Sequence, residues 1–317
     1  MTTKHTRLQE ILRGYGSVCI GYSGGVDSVF LAKVARDVLG PERMLAVLGV
    51  SPSLPAAQRD SALHCAQEFA IPMRELPTDE MEDPNYVANA SNRCYFCKTE
   101  LWTKLSAFAD AHGFAVVADG TNADDVYDHR PGMQASREHT IRSPLLEAGL
   151  SKAEIRELSH AAGLPTWDMP SAPCLSSRLA YGVQVTRERL EQVEVAEERI
   201  RALGFREFRV RHHGAVARLE FAPAEMPRAV DAGPRLHAAL ADLGFARILL
   251  DVEGYRRGAL NEVASLVSLG ARNKSEIATV PASLADIDRV RSLVPGLKQQ
   301  GYKFVTIDLG ILESETA

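Results

Sequence analysis

The 317-residue sequence has no apolar run approaching the roughly 20 residues that a bilayer-spanning helix needs, so a helical membrane anchor is excluded. Its opening residues, Met1-Thr-Thr-Lys-His-Thr-Arg7, are polar and lead into a charged helix, unlike the apolar segment of a secretion signal. A cytoplasmic location with no membrane partner is therefore expected. Basic charge is not in excess: 36 Lys and Arg stand against 41 Asp and Glu, a formal net charge of −5. That balance argues against a nonspecific nucleic-acid binder, and no nucleic-acid partner is expected. Only five cysteines are present, and in such a context they are expected as reduced thiols, not as a disulfide framework. Two familiar phosphate-binding signatures are also missing. No Gly-Lys-Ser/Thr ending follows the glycine-rich loop near residue 24, and that loop lacks the G-x-G-x-x-G spacing of a dinucleotide site.

What is present is the composition of a soluble globular protein, 45% hydrophobic and 24% charged, with length enough for two domains. The first half alternates short apolar runs with amphipathic stretches, the pattern of a parallel sheet wrapped by helices. Strands are expected at Ser17–Tyr22, Met44–Val50, Met73–Leu76 and Ala115–Ala118. Helices are expected at Asp27–Leu39, Pro55–Ala70, Thr99–His112 and Ser151–Ala162, the last with Ser151 as cap and Glu154 as its capping-box partner. Around Thr166–Arg178 two prolines and several small polar residues break the pattern, and a charged helix, Thr186–Leu203, follows. We therefore place domains at 1–170 and 171–317. In the second, Ala202–Arg211, Asp242–Asp251 and Gln299–Asp308 echo one another as helix end, glycine stop and strand, either repeat units of a smaller α+β domain or an ordinary recurrence of that local grammar.

The chemistry begins at Gly21-Tyr-Ser-Gly-Gly-Val-Asp-Ser28, between the first strand and the first sheet-packed helix. Glycine lets backbone N–H groups close on an anion, and a helix N-terminus adds the favourable end of its dipole. The segment resembles the PP-loop of ATP pyrophosphatases, which cleave ATP between the α- and β-phosphates and adenylate an oxygen. The resemblance implies that Ser23, Gly24, Gly25 and Ser28 cradle pyrophosphate, with Gly21 preceding them, and that Asp27 holds Mg²⁺. Asp119-Gly-Thr-Asn-Ala-Asp-Asp125 sits at the carboxyl end of another strand, where open α/β sheets bind ligands, so Gly120, Asn122 and Asp125 join the expected ATP site. Ser51, just past the second strand, falls where such folds meet adenine.

Three cysteines stand apart. Cys94 and Cys97 form a C-x-x-C, and Cys174 lies in Pro-Cys-Leu-Ser-Ser-Arg178, whereas Cys19 and Cys65 read as small core residues. No second C-x-x-C completes a zinc site. Three thiolates on a [4Fe–4S] cluster would leave one iron open to carry an extra sulfide. Alternatively Cys174 attacks an acyl-adenylate itself, its thiolate favoured by Arg178.

The chain resembles the LarE family of PP-loop sulfur transferases. The residues that carry the resemblance are the Gly21–Ser28 loop, Asn92–Lys98, Asp119–Asp125, Arg130-Pro-Gly132, Ser143–Leu146, Leu164-Pro165 and Pro170–Arg178. Arg209-Val-Arg-His-His-Gly214 and Gly254–Asn261 complete the set. They span roughly residues 10–262, and Pro173–Arg178 and Arg209–Gly214 are far more specific to the family than the first loop, which is generic to PP-loop enzymes. The resemblance implies adenylation of the carboxylates of a pyridinium biscarboxylic acid mononucleotide and their conversion to thiocarboxylates for the nickel-pincer nucleotide. Members with one family cysteine give up its sulfur and keep dehydroalanine. Members with all three, as here, are expected to use a [4Fe–4S] cluster on Cys94, Cys97 and Cys174. Arg178, Arg209 and Arg211 are expected to bind the mononucleotide, with Glu197 or Glu198 orienting them. His212 and His213, adjacent on a strand, point to opposite faces and are not expected to share a metal. A homo-oligomer and a downstream nickel-insertion partner are further expectations. The rival reading is a tRNA-thiolating enzyme with the same loop and cysteines, which would need a basic surface. A noncatalytic nucleotide-binding scaffold is a third, and the intact Ser23–Ser28 loop speaks against it. Residues 263–317 carry no recognised motif before the Gly301–Leu309 echo.

Overall fold

Alternation of side chains along a strand decides how the first half is built. The computed structural model describes residues 3–127, 131–170, 173–256, 276–281 and 287–310. Strand β1 (Val18–Gly21) sends Val18 and Ile20 to one apolar core and Cys19 to another, and β2 (Met44–Val50) divides Met44, Ala46 and Leu48 from Val47 in the same way. A strand buried on both faces is the mark of a sheet covered on both sides. With β3 (Met73–Pro77) and β4 (Val116–Ala118) these strands form a sheet ordered β3-β2-β1-β4, parallel throughout. Helices α1 (Thr3–Tyr15), α2 (Val26–Leu39) and α3 (Ala56–Glu68) pack on the first face. After the short α4 (Pro84–Val87), α5 (Arg93–Ala111) takes the second face, joined by α6 (Pro131–Glu138). The one-turn α7 (Pro144–Glu147) and α8 (Lys152–Ala161) return to the first. This is the PP-loop type of doubly wound α/β fold. Cys19 and Cys65 are buried core thiols, and burial pushes Cys19 up to about 12.

The chain divides into two units, 1–87 with 92–174 and 88–91 with 175–317. The second is built on α9 (Arg187–Ala202), β5 (Phe208–His212), β6 (Val216–Phe221), α10 (Met226–Asp231), α11 (Gly233–Leu240), β7 (Arg247–Asp251), β8 (Ile277–Thr279), α12 (Ile287–Gln299) and β9 (Phe304–Asp308). Its strands form a separate mixed sheet ordered β5-β6-β7-β9-β8. The three echoes end in β5, β7 and β9, and Gly204, Gly244 and Gly301 all take positive φ, which lets a helix stop and turn into a strand. One sheet face, with Val210, Leu219, Phe221, Leu250 and Ile307, meets the helices in an apolar core. No described helix is long and apolar enough to cross a membrane.

One expectation shifts. The helix expected from Thr99 begins six residues earlier, at Arg93, so the C-x-x-C lies in its first turn and its two thiols are neighbours on one helical face. Asn92 caps it without a side-chain hydrogen bond, which is why no start signal was readable there. Arg130, Ser171, Ala172 and the 257–261 part of the Gly254–Asn261 motif lie outside the described residues.

Candidate active site

The strand order reverses direction at β1, with β2 on one side and β4 on the other, so the crevice at their carboxyl ends is the topological switch point of the sheet. Both phosphate-loop candidates open there. After β1 the chain turns through Gly24 at φ +74°, where an added Cβ would lie 2.6 Å from the Ala62 Cβ of α3. Gly24 is thus fixed by both conformation and packing. Ser28 ties the loop together: its hydroxyl donates to the Gly25 carbonyl and accepts from the Ser23 amide, both at 3.1 Å. Gly25 starts α2 without a side-chain cap, leaving the first helical N–H groups to an anion. Gly21 has a different task. A Cβ there would meet the Trp102 ring at 2.8 Å, so Gly21 makes room for the indole that packs under β1.

Asp27, in the first turn of α2, accepts from Asn122 Nδ2 at 3.3 Å and from Lys152 Nζ at 2.5 Å. The Asp119–Asp125 loop is held from within. Asp125 accepts from the Asn122 amide, Asn122 from the Asp124 amide, and Asp124 from the Lys152 amide. Gly120 lies where a Cβ would approach the Ser28 nitrogen to 3.1 Å, so this loop is packed directly on the phosphate loop. Gly24, Gly25, Asp27, Ser28, Gly120 and Asn122 therefore converge. Ser51 sits at the end of the neighbouring strand and donates to Glu80 Oε1 at 2.5 Å, while Ser53 reaches the same oxygen at 3.1 Å. Lys152 was not singled out from the sequence. Its signal was available, a lysine at the first position of the helix capped by Ser151, whose capping box with Glu154 is formed as expected.

The three family cysteines all belong to the first unit. Cys94 is exposed, and Cys97 and Cys174 are half-buried. Arg93, itself buried, donates from Nη2 to Cys94 Sγ at 3.7 Å and feels the charge of Cys174. Burial alone would lower its pKa, but the negative charges of Cys174, Cys94 and Tyr86 outweigh it and hold the guanidinium protonated. Cys97 feels the opposite field: burial, then the charges of Glu80 and Cys174, push its thiol well up. Among the described residues no three His, Cys, Asp or Glu side chains converge on a point that would hold a single metal ion.

In the second unit, Arg178 is buried in a two-pronged pair with Glu197, Nε and Nη2 donating at 3.0 and 3.1 Å. The carboxylate facing it is thus that of Glu197, while Glu198 is exposed on the same helix. Arg209 and Arg211 share a sheet face as the spacing requires. Arg209 donates to the Phe208 carbonyl and lies over Tyr255, and burial, then the charge of Arg178, lower its pKa. Arg211 donates to Glu220 Oε2 at 2.8 Å and to the Ser177 carbonyl at 3.0 Å. His212 meets Gln192 and Phe245, whereas His213 meets Arg218 and Phe304, so the two imidazoles do face apart.

Fold and loop together define a PP-loop, ATP-using enzyme. Residues 5–92 match the family described as NAD synthase. A protein of Lactiplantibacillus plantarum named pyridinium-3,5-bisthiocarboxylic acid mononucleotide synthase is 32% identical over 85% of this chain and 98% of its own. An uncharacterized protein of Synechocystis sp. is 44% identical over 81% of this chain and 98% of its own, and one of Methanocaldococcus jannaschii 25% identical over 75% and 90%. The chain belongs to the LarE family.

Proposed function

We propose that this enzyme adenylates the carboxylates of pyridinium-3,5-biscarboxylic acid mononucleotide with ATP and replaces the AMP by sulfur, giving the thiocarboxylates of the nickel-pincer nucleotide. The observation that carries the reading is the placing of three cysteines in the same unit as a complete PP-loop. The Gly24–Ser28 turn and the start of α2 receive the β- and γ-phosphates. A substrate carboxylate oxygen then attacks the α-phosphorus, and pyrophosphate leaves. Asp27 would hold Mg²⁺ there, which would offset phosphate charge, and Lys152, paired with Asp27, supplies a cation at that point. One carboxylate fits such a site, because Mg²⁺ is commonly held by one or two carboxylates together with the phosphates themselves. Sulfur attack on the acyl carbon expels AMP.

Cys94, Cys97 and Cys174 would hold the [4Fe–4S] cluster. Cys97 feels the charges of both Cys94 and Cys174, and the buried Arg93 is a counter-charge to those two, which fits the cluster's donor chemistry. The thiolates of a cubane bind different irons, so they need not converge as ligands of one ion do. Once bound, the cluster would present sulfide on its open iron. Arg178, Arg209 and Arg211 bind the phosphate of the mononucleotide.

Anaerobic purification followed by iron and sulfide analysis, then trapping of products with ATP and the mononucleotide, tests this. A brown protein that needs all three cysteines for its colour and yields thiocarboxylate supports it. A colourless protein whose Cys174 loses the mass of H₂S moves the sulfur source to that side chain. Sulfur gained by tRNA alone refutes the substrate.

A further inference from the structure

The mixed sheet has one apolar face and one charged face, and the charged face is buried. Register sets Arg209 opposite Glu220 and Arg211 opposite Arg218, with Asp251 and Thr306 following on the next strands. Arg218 and Glu220 are 0% exposed and Asp251 1%. An arginine buried to that degree is held only where charge and geometry compensate the lost water. Here they do so at Nη1, at Nε and on the ring face, though not at Nη2, which is buried without a hydrogen bond. Arg218 Nη1 contacts Glu220 Oε1 at 2.8 Å and also pairs with Asp251. Its Nε donates to His213 Nε2 at 3.2 Å, and burial, then the charge of Arg218 itself, keep that imidazole neutral. The guanidinium carbon lies over the Phe304 ring, 3.5 Å from its centroid.

Arg218 is thereby anchored within the sheet through Nη1 and Nε, while its buried Nη2 makes no hydrogen bond. What it holds is Glu220, and Glu220 holds Arg211. The chain of contacts runs Asp251, Arg218, Glu220, Arg211, Ser177 carbonyl, each member gripping the next. Arg211 has one edge on Glu220 and one amino group on the Ser177 carbonyl, which leaves its Nη2 for a ligand. Long guanidinium side chains lose much rotamer freedom on binding, and holding one in advance removes that cost from the binding step.

We propose that Arg218 is a positioning residue for Arg211, and that Phe304, from the Gly301–Leu309 echo, completes it as the plate against which Arg218 is clamped. The inference rests on the reading of Arg211 as a ligand of the mononucleotide phosphate. Its test uses the full-length holoenzyme carrying Arg218→Lys or Phe304→Leu, with pyrophosphate release followed against ATP and against mononucleotide. Lysine keeps the charge but has no second nitrogen for His213 and no planar group to set over the ring; leucine keeps the strand apolar and removes the plate. Each variant is expected to raise the KM for mononucleotide, about tenfold for Arg218→Lys and less for Phe304→Leu, with the KM for ATP unchanged and kcat within about twofold. A purely structural role would move both KM values or neither. If Arg218→Lys does not fold, Phe304→Leu decides. Unchanged mononucleotide KM, or a parallel rise for ATP, overturns the proposal while the wild type still turns over. A wild type that releases no pyrophosphate with this substrate refutes the substrate reading instead, and leaves Arg211 no phosphate to be aimed at.

Discussion

Replacing Gly24 by alanine should unfold the first unit at a measurably lower temperature, and the structure says by how much. At φ +74° a residue with a Cβ is strained, at a cost of about 1–2 kcal/mol. The new methyl would also sit 2.6 Å from the Ala62 Cβ and 3.2 Å from its Cα, atoms fixed to the backbone of α3 that cannot swing aside. Overpacking of this kind costs about 1–3 kcal/mol. Together about 2–5 kcal/mol is at stake, a fall in Tm of roughly 5–15 °C for a unit of this size. Gly25→Ala is the control. Gly25 has φ −79°, and the nearest atom to an added Cβ is Ser23 Oγ at 3.4 Å, so its stability should stay within about 1 kcal/mol of wild type. Differential scanning calorimetry of both variants, with and without ATP·Mg²⁺, checks the difference. Equal losses in the two, or none in Gly24→Ala, would refute the argument that conformation and α3 packing together fix this glycine.

Three further outcomes are expected. Lys152→Met removes the cation on Asp27 and should slow pyrophosphate release by about a hundredfold with little change in Tm, read by a coupled phosphate assay. Glu197→Ala leaves Arg178 buried without its carboxylate and strips an acceptor from the Val210 amide, and urea denaturation should show a loss of about 3–5 kcal/mol, with Glu197→Gln in between. Burial raises Asp251 to about 6, with the Arg218 charge opposing and the Glu220 charge adding. An unfolded aspartate titrates near 3.9, so the folded state holds this proton longer and loses stability as pH rises between about 4 and 6. Relative to wild type, Asp251→Asn should therefore gain stability across that window and stay level above it, followed by Tm against pH.

What could be read from the sequence was local. Met44–Val50 and the Ser151–Glu154 box follow from an apolar run and a capping pair only a few residues long. The ATP crevice was legible because a glycine-rich turn after one strand and an Asp-Gly-Thr-Asn after another both declare strand ends. Long-range partners were not. Arg218 finds Asp251 33 residues on, Arg211 finds Ser177 34 residues back, and Lys152 finds Asp27 125 residues back. Nothing in the periodicity of a strand says which charge will lie across from it until register is known. The helical start at Arg93 was hidden for another reason, since Cys, Tyr and Phe have only middling helix propensity and Asn92 gives no capping contact.

The position of β9 has a consequence for how the protein is made. It is not an edge strand: it lies between β7 and β8, antiparallel to the first and parallel to the second. On the ribosome, β5, β6 and β7 can pair as they emerge, but β7 keeps one bare edge until residues 304–308 have been synthesised. Exposed edges recruit the wrong strand, from another chain if need be. The second unit thus closes late and through non-local contacts, which slows folding. A nascent chain stalled before Phe304 would carry a finished nucleotide-binding unit beside an open sheet.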